Sequence, residues 1–299
     1  MYILLTGASG FLGRLIIGNL SISNNVKTMS KSAGDYKVEL DQCIPTFNET
    51  FSIVVHLAGL AHSIPNNQIE NELFQKVNVV GTQNLLEGLI KSGLPKSFVF
   101  ISSVSVYGLD SGTGIDEKSN LKAIDPYGMS KIEAERIVCN WCKQHNVVCT
   151  ILRLPLVVGN NPSGNLGAMT KGIKKGYYFN IGGGTSKKSM VLAEDVAKII
   201  VEVAKIGGIY NLTDGYHPTF AEISNNISIQ LGKVKPRNIP FWLASIIAKF
   251  GDLLGSKAPL NTNKLKKITS DLTFDDTKAR EAFGWNPTPV LKGFKINLL

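Results

Sequence analysis

Three glycines spaced three apart, Gly7, Gly10 and Gly13, sit between an apolar run and a helical pattern at the start of the chain. Tyr2 to Thr6 reads as a strand and Phe11 to Leu20 as a helix. In Thr6-Gly7-Ala8-Ser9-Gly10-Phe11-Leu12-Gly13, Gly7 permits a sharp turn, Gly10 a close backbone approach to a phosphate, and Gly13 tight helix–strand packing. The open amides and positive dipole end of the helix then face an anion. Gly7, Ser9, Gly10, Phe11, Leu12 and Gly13 are therefore expected to hold a dinucleotide pyrophosphate. The spacing is GxxGxxG rather than GxGxxG, and its weight comes from its place between strand and helix.

The rest of the first half keeps alternating. Strands are predicted at Val26 to Met29, Tyr36 to Leu40, Ser52 to Leu57, Ser97 to Ser102 and Val147 to Leu154, and helices at Phe74 to Ser92 and Pro126 to His145. This pattern predicts an α/β fold, a doubly wound parallel Rossmann sheet. After Pro155 the alternation loosens, with helices expected at Gly164 to Lys175, Glu194 to Ala204, Phe220 to Leu231 and Phe241 to Leu254, and a strand at Ile209 to Leu212. Residues 1–158 are read as the cofactor-binding domain, its core taking up parts of 190–215, and 159–299 as the mainly substrate-binding part.

With 43% hydrophobic and 18% charged residues, the 299-residue chain can build a large core. No apolar run reaches the roughly 20 residues of a membrane span, and the first residues show no signal-peptide pattern, so a cytoplasmic protein is expected. The net charge is +9, and residues 231–267 carry eight basic residues against one acid, Asp252. No nucleic-acid motif accompanies them, so nucleic acid is not expected. The apolar stretch from Phe241 reads as a core-facing helix, with peripheral membrane contact as the alternative. Cys139 and Cys142 form a CxxC inside a helical pattern and read as ordinary helix residues, and no metal is expected.

The second strand ends in Met29-Ser30-Lys31-Ser32, with no acid to bind a ribose 2′-hydroxyl. Ser30 and Lys31 suit a 2′-phosphate, which favours NADP over NAD. Asp41 is a candidate partner for the adenine amine. At the carboxyl ends of other predicted strands stand His56-Leu57-Ala58-Gly59, Ser103 and Pro155, the edge where open α/β sheets bind ligands. Leu57, Ala58, Gly59 and Pro155 are read as lining the cofactor. His56 is read as packed rather than catalytic, and Asn78 as ordering the site or packing its helix.

In Asp125-Pro126-Tyr127-Gly128-Met129-Ser130-Lys131, Asp125 suits an N-cap and Pro126 the first helical position. Tyr127 and Lys131 then share a helix face. A tyrosine of pKa about 10 is a poor base at neutral pH, and a neighbouring ammonium would lower it. Tyr127 would exchange a proton with a substrate oxygen while Lys131 holds the nicotinamide ribose, and Ser103 would bind the same oxygen. Ser102 and Ser105 are alternatives to Ser103; Tyr107 is a competing phenol without a lysine four residues on.

These motifs resemble the extended short-chain dehydrogenase/reductases, in particular the nucleotide-sugar epimerase/dehydratase/reductase group. The similarity also takes in Asn78-Val79-Val80-Gly81-Thr82, Arg153-Leu154-Pro155, Glu194-Asp195-Val196-Ala197 and Phe283-Gly284-Trp285-Asn286-Pro287. The resemblance implies a Ser103, Tyr127, Lys131 triad, a bound nicotinamide dinucleotide and a nucleotide-sugar or diphosphate-sugar substrate. It implies that residues 164–175 cover the substrate, with Ser105 and Asn165 as contacts, and that the chain is a homodimer. It also implies hydride transfer at a sugar C4 in surface polysaccharide synthesis, by a 4-epimerase or a 4-keto reductase. The missing acid after the second strand tilts this reading to the reductase. Lys188 stands where relatives often have arginine and would attract a phosphate without the bidentate fork. Val104-Ser105 replaces the acid pair of dehydratases, which ranks that activity lower. A reductase of non-sugar carbonyls and a non-catalytic NADP-binding regulator are the competing expectations.

Overall fold

Alternate residues of the central strands enter two different cores. Ile3 and Leu5 join one apolar cluster and Leu4 the other; Ile53 and Val55 part from Val54, and Val99 and Ile101 from Phe98 and Phe100. Strands buried on both faces must be apolar at consecutive positions, and these runs are.

The computed structural model describes residues 1–61, 68–160, 162, 164–254, 258 and 260–297. In the first half, the strands are β1 (Tyr2–Thr6), β2 (Asn25–Ser30), β3 (Tyr36–Lys37), β4 (Ile53–His56), β5 (Ser97–Ser103), β6 (Gly112–Ile115) and β7 (Val148–Leu154). The helices there are α1 (Phe11–Leu20), α2 (Gln68–Phe74), α3 (Gly81–Ser92) and α4 (Pro126–His145). The second half adds β8 (Leu156–Val158), β9 (Asn180–Ile181), β10 (Met190–Leu192), β11 (Gly208–Asn211), β12 (Asn238–Ile239) and β13 (Leu272–Phe274). Its helices are α5 (Gly164–Lys175), α6 (Ala193–Ile206), α7 (Phe220–Gln230), α8 (Phe241–Leu253), α9 (Thr262–Thr269), α10 (Thr277–Phe283) and α11 (Val290–Gly293).

Seven strands form one sheet in the order β11-β7-β5-β4-β1-β2-β3, all parallel. This is the doubly wound Rossmann architecture expected from the sequence. Helices α1 and α6 pack together over one face. Helices α3 and α4 cover the other. The second half returns to the sheet through α6 and its edge strand β11. Three two-stranded parallel sheets, β10–β8, β12–β9 and β13–β6, tie the remaining segments down.

Two predicted elements differ. The third strand has two residues rather than five, because the Glu39 carbonyl already turns back to accept the Gln42 and Cys43 amides. The helix predicted from Phe74 to Ser92 is interrupted by a π-helical turn over Gln75–Val80. The widened turn coincides with Asn78, whose side chain bonds away from its own helix.

Gly13 has the least room in the nucleotide-binding half. A Cβ there would stand 2.3 Å from the Gly7 carbonyl oxygen and 2.8 Å from Ala8 Cα. We expect Gly13→Ala to lower the urea unfolding free energy by about 2 kcal/mol or more, since rigid backbone must move to admit the methyl. An unchanged midpoint would show that α1 does not rest on the turn in this way.

Candidate active site

The turn after β1 begins at Gly7. Gly7 takes φ +70°, and its N–H donates to the Met29 carbonyl at 2.9 Å. A Cβ on Gly7 would lie 2.8 Å from Ala58 N, so the turn can meet the loop after β4 only as glycine. Gly10 opens α1 without a side-chain cap, and the first turn of α1 carries no acid. Its free amides and dipole are thus available to an anion. Ser9 and Gly10 are exposed there. The Phe11 ring rests on Gly159, where a Cβ would meet it at 2.6 Å, while Leu12 packs beneath against the core.

A buried polar chain supports the loop after β4. The Ala58 N–H donates to Thr6 Oγ1 at 3.1 Å, and Thr6 Oγ1 lies 2.7 Å from His56 Nδ1. His56 Nε2 lies 3.0 Å from Thr82 Oγ1, which donates to the Asn78 carbonyl at 2.6 Å. Because Thr82 gives its proton to a carbonyl, it must accept from Nε2–H, and Nδ1 then accepts from Thr6. Burial, and secondarily the nearby Lys131 charge, push the His56 pKa down to about 3, consistent with this neutral tautomer. His56 is a structural residue.

Asn78 clamps the same loop to α4. Its Oδ1 accepts the Leu60 N–H at 2.6 Å, and its Nδ2 donates to Leu60 O at 3.1 Å and to Ser130 Oγ at 2.8 Å. Gly59 lies under this clamp, where a Cβ would stand 3.0 Å from Asn78 Oδ1 and 3.5 Å from Lys131 Nζ.

Asp125 caps α4 by accepting the Gly128 N–H at 2.9 Å, and Pro126 starts the helix. Tyr127 is half-buried, beside Phe74 at 6.0 Å between ring centroids. Burial raises its pKa above the usual 10, a hydrogen bond with Ser103 lowers it, and Asp125 raises it. Ser103 ends β5, and its Oγ accepts the Ser105 N–H at 3.2 Å and lies 3.0 Å from Ser105 Oγ.

Lys131 departs from the sequence expectation. Its ammonium is buried, donates to the Ile101 carbonyl at 3.0 Å and lies 4.7 Å from the Phe100 ring centroid. Burial pulls its pKa down to about 8, against an opposing pull from Glu135. It is not among the groups acting on the Tyr127 phenol. Sharing a helix face does not by itself bring the ammonium to the Tyr127 phenol, since a carbonyl and an aromatic face hold it.

Beneath the site runs a network that residue spacing did not reveal. Arg153 on β7 donates to both oxygens of Glu135 on α4, at 3.1 and 2.7 Å. Ser102 Oγ donates to Glu135 at 2.5 Å. Arg153 also donates to the Tyr107 hydroxyl at 3.1 Å, which itself donates to Asn211 Oδ1 at 2.7 Å. Ser102 is thereby turned into the core, and Tyr107 is fully buried and stacked on Phe274. Of the serines and phenols weighed from sequence, Ser103 and Tyr127 are left at the sheet edge, with Ser105 hydrogen-bonded to Ser103.

The remaining candidates are spread over neighbouring segments. Ser30 Oγ closes a turn with Ala33, donating to its carbonyl at 2.6 Å and accepting its N–H at 3.1 Å. Lys31 pairs with Glu39 at 3.1 Å, and Asp41 with Lys76 at 3.6 Å. Pro155 is buried between β7 and β8, and Asn165 is exposed in the first turn of α5. Burial lowers the Lys188 pKa, and Asp271, Asp110 and Lys267 act on it. Lys267, which pairs with Asp110 at 3.0 Å, is a second cation beside Lys188 that sequence reading passed over. A cavity of about 710 Å³ lined by Asp214, His217, Asp276 and Arg280 includes none of the predicted site residues. Within it Arg280 pairs with Asp276 at 2.8 Å.

A doubly wound sheet with a glycine turn and a Ser-Tyr pair at its carboxyl edge defines a nicotinamide-dinucleotide enzyme of the short-chain type. The chain belongs to the NAD dependent epimerase/dehydratase family, whose sequence model matches residues 3–212. It is 29% identical to a UDP-glucose 4-epimerase of Vibrio cholerae, over 98% of this chain and 93% of that one. It is 28% identical to an N-acetyl-alpha-D-glucosaminyl-diphospho-ditrans,octacis-undecaprenol 4-epimerase of Escherichia coli O157:H7, over 99% and 94%. The fold is also that of a Thermotoga maritima UDP-glucose 4-epimerase, with a TM-score of 0.76, 22% identity, and 98% and 96% of the two chains covered.

Lys131 yields a stability prediction with a defined sign. Between pH 8 and 10.5 the unfolded lysine still holds a proton that the folded one has released, so this group makes stability rise with pH across that window. Below pH 8 the buried charge carries its whole penalty, about 3 kcal/mol by the shift alone. Lys131→Met should therefore raise the Tm of the cofactor-free protein at pH 7 while abolishing activity. A lower Tm in that variant would mean that the Ile101 hydrogen bond outweighs the desolvation.

Proposed function

We propose that the chain is an NAD-dependent 4-epimerase acting on a sugar carried by a diphosphate. The observation that carries this reading is the placing of Ser103, at the end of β5, and Tyr127, in the first turn of the helix packed on that strand, at the sheet edge that the glycine turn also borders. Nearly full-length similarity to two 4-epimerases favours the epimerase over the reductase to which the sequence alone tilted.

The residues present fit a dinucleotide: an uncapped helix end without nearby acids, and glycines at 7 and 59 where a side chain would intrude. Gly7, Ser9, Gly10, Phe11, Leu12 and Gly13 would hold the pyrophosphate. Leu57, Ala58, Gly59, Asn78 and Pro155 would line the nicotinamide half, and Asp41 the adenine. When bound, the dinucleotide supplies reversible hydride acceptance at the sugar carbon.

Tyr127 takes the proton of the sugar hydroxyl as the carbonyl forms and returns it after the sugar has turned its other face. Burial raises the phenol's pKa and so opposes the phenolate that accepts this proton; Ser103 acts in the opposite sense and shares the work of stabilising charge on the oxygen. Lys131 would hold the nicotinamide ribose by exchanging its Ile101 hydrogen bond. We assign Lys188 and Lys267 to the substrate diphosphate, and Ser105 and Asn165 to sugar contacts.

Both groups that argued for NADP are engaged, Ser30 with Ala33 and Lys31 with Glu39. Glu39 brings an acid to that region, which supports NAD. We divide the chain into a cofactor half, residues 1–158 with parts of 190–215, and a substrate half, mainly 159–299. We also assign a homodimer pairing α3 and α4. The groove between those helices includes Gln83, Ile90 and Trp141, whose Nε1 has no partner among the described residues. Ile90→Lys should leave a monomer by sedimentation velocity; a dimer unaffected by it would place the contact elsewhere.

Incubation with UDP-glucose or UDP-N-acetylglucosamine, with no cofactor added, should invert C4 as read by proton NMR. Tyr127→Phe should slow that turnover by about 100-fold or more. Stoichiometric NADPH oxidation with a 4-keto sugar nucleotide, without inversion, would replace the epimerase by a reductase. A polyprenyl diphosphate sugar is the second substrate to assay, as the Escherichia coli relative's name suggests and the exposed apolar face of α8 favours.

A further inference from the structure

Helix α8 is amphipathic the wrong way round for a core helix. Its buried positions are the small residues Ala244, Ala248 and Gly251. A Cβ on Gly251 would stand 1.9 Å from the Leu260 carbonyl oxygen, so this face lies hard against the chain. The large apolar residues Phe241, Trp242, Ile246, Ile247, Phe250 and Leu253 are instead 44 to 83% exposed. A surface helix of a soluble protein normally turns such residues to the core, and a contiguous exposed patch of this kind marks an interaction surface.

The charge around the helix identifies the partner. Residues 231–267 hold eight basic residues and a single acid. That acid, Asp252, is turned onto the start of α9, accepting the Thr262 N–H at 2.9 Å and its hydroxyl at 2.5 Å. A second copy of this face would bring like charge to like charge. An anionic bilayer brings opposite charge, at about 1 kcal/mol for each lysine or arginine near the headgroups. At 13 residues α8 is about 20 Å long, too short to cross roughly 30 Å of hydrocarbon. Among the described residues no helix is long and apolar enough to span.

We propose that α8 docks the protein on an anionic phospholipid bilayer, lying in the interface with its Trp242, Ile246, Phe250 and Leu253 face among the acyl chains. The small-residue face keeps the helix fastened to α9, which packs against it. From α9, Lys267 reaches Asp110 and acts on Lys188. The docked surface is therefore one packed helix away from the cationic pair. The proposal does not depend on the reaction catalysed.

The chain carries its own reporter. Of three tryptophans, Trp141 and Trp285 are 7% and 3% exposed and Trp242 is 65% exposed. Adding vesicles of phosphatidylglycerol mixed with phosphatidylcholine to the full chain should shift Trp242 emission to the blue and sediment the protein. Pure phosphatidylcholine should do so much less. Phe250→Glu/Leu253→Glu should cut the vesicle-bound fraction by about tenfold or more, with far-UV circular dichroism, Tm and turnover of a soluble sugar nucleotide unchanged. Emission that neither vesicle moves, or sedimentation that the double variant leaves intact, would overturn the proposal. So would a lipid-independent oligomer that the double variant dissolves, since that would give the face to a second copy.

Discussion

The bidentate pair between Arg153 and Glu135 joins the three elements on which the site rests. Arg153 comes from β7 and Glu135 from α4, and Ser102 of β5 donates to the same carboxylate. Both ionised groups are almost wholly buried. Such a pair is held only while its hydrogen bonds are complete, and removing one member strands the other in low dielectric. Here Tyr107 and Asn211 extend the network towards β11 and β6. The consequence for chemistry is local: Ser102 faces inward, Ser103 ends the strand facing Tyr127, and Glu135, one turn beyond Lys131, keeps that lysine's pKa from falling further.

Other buried polar groups serve the loop after β4. The chain of donors from Ala58 through Thr6, His56 and Thr82 to Asn78 leaves each member satisfied, which a buried network needs if it is to rigidify rather than destabilise. Asn78 then fastens Leu60 to Ser130. The Gly7 turn and the loop carrying Ala58 and Gly59 are thereby set against each other. The cost is concentrated at Lys131, a buried ammonium with a carbonyl, an aromatic ring and a distant carboxylate for company. Sites that hold such groups give up stability for function.

Much of the fold was legible in the sequence because it rests on local rules. Helices α1, α4 and α5 start and stop where the glycine turn, the Asp125-Pro126 cap and the Gly164 punctuation place them. The central strands follow from consecutive apolar residues. The paired sheets β8–β10, β9–β12 and β6–β13 were not legible as pairs, because two to four residues carry no periodicity and their pairing spans long stretches of chain. The direction of α8 was misread in its simplest form. An apolar helix pattern states that a face is greasy, and the sequence does not say whether that face meets the core.

The sequence by itself determined the nucleotide-binding turn, the parallel sheet and the residue types at its edge, since each depends on neighbours within a few residues. Only the tertiary structure decided which serine and which tyrosine are engaged elsewhere: Ser102 and Tyr107 are buried against groups far along the chain. It also decided that Lys131 faces the Ile101 carbonyl rather than the phenol. Spacing puts two side chains on one helix face, whereas the packing of β5 against α4 sets where a long flexible ammonium finds its hydrogen bond.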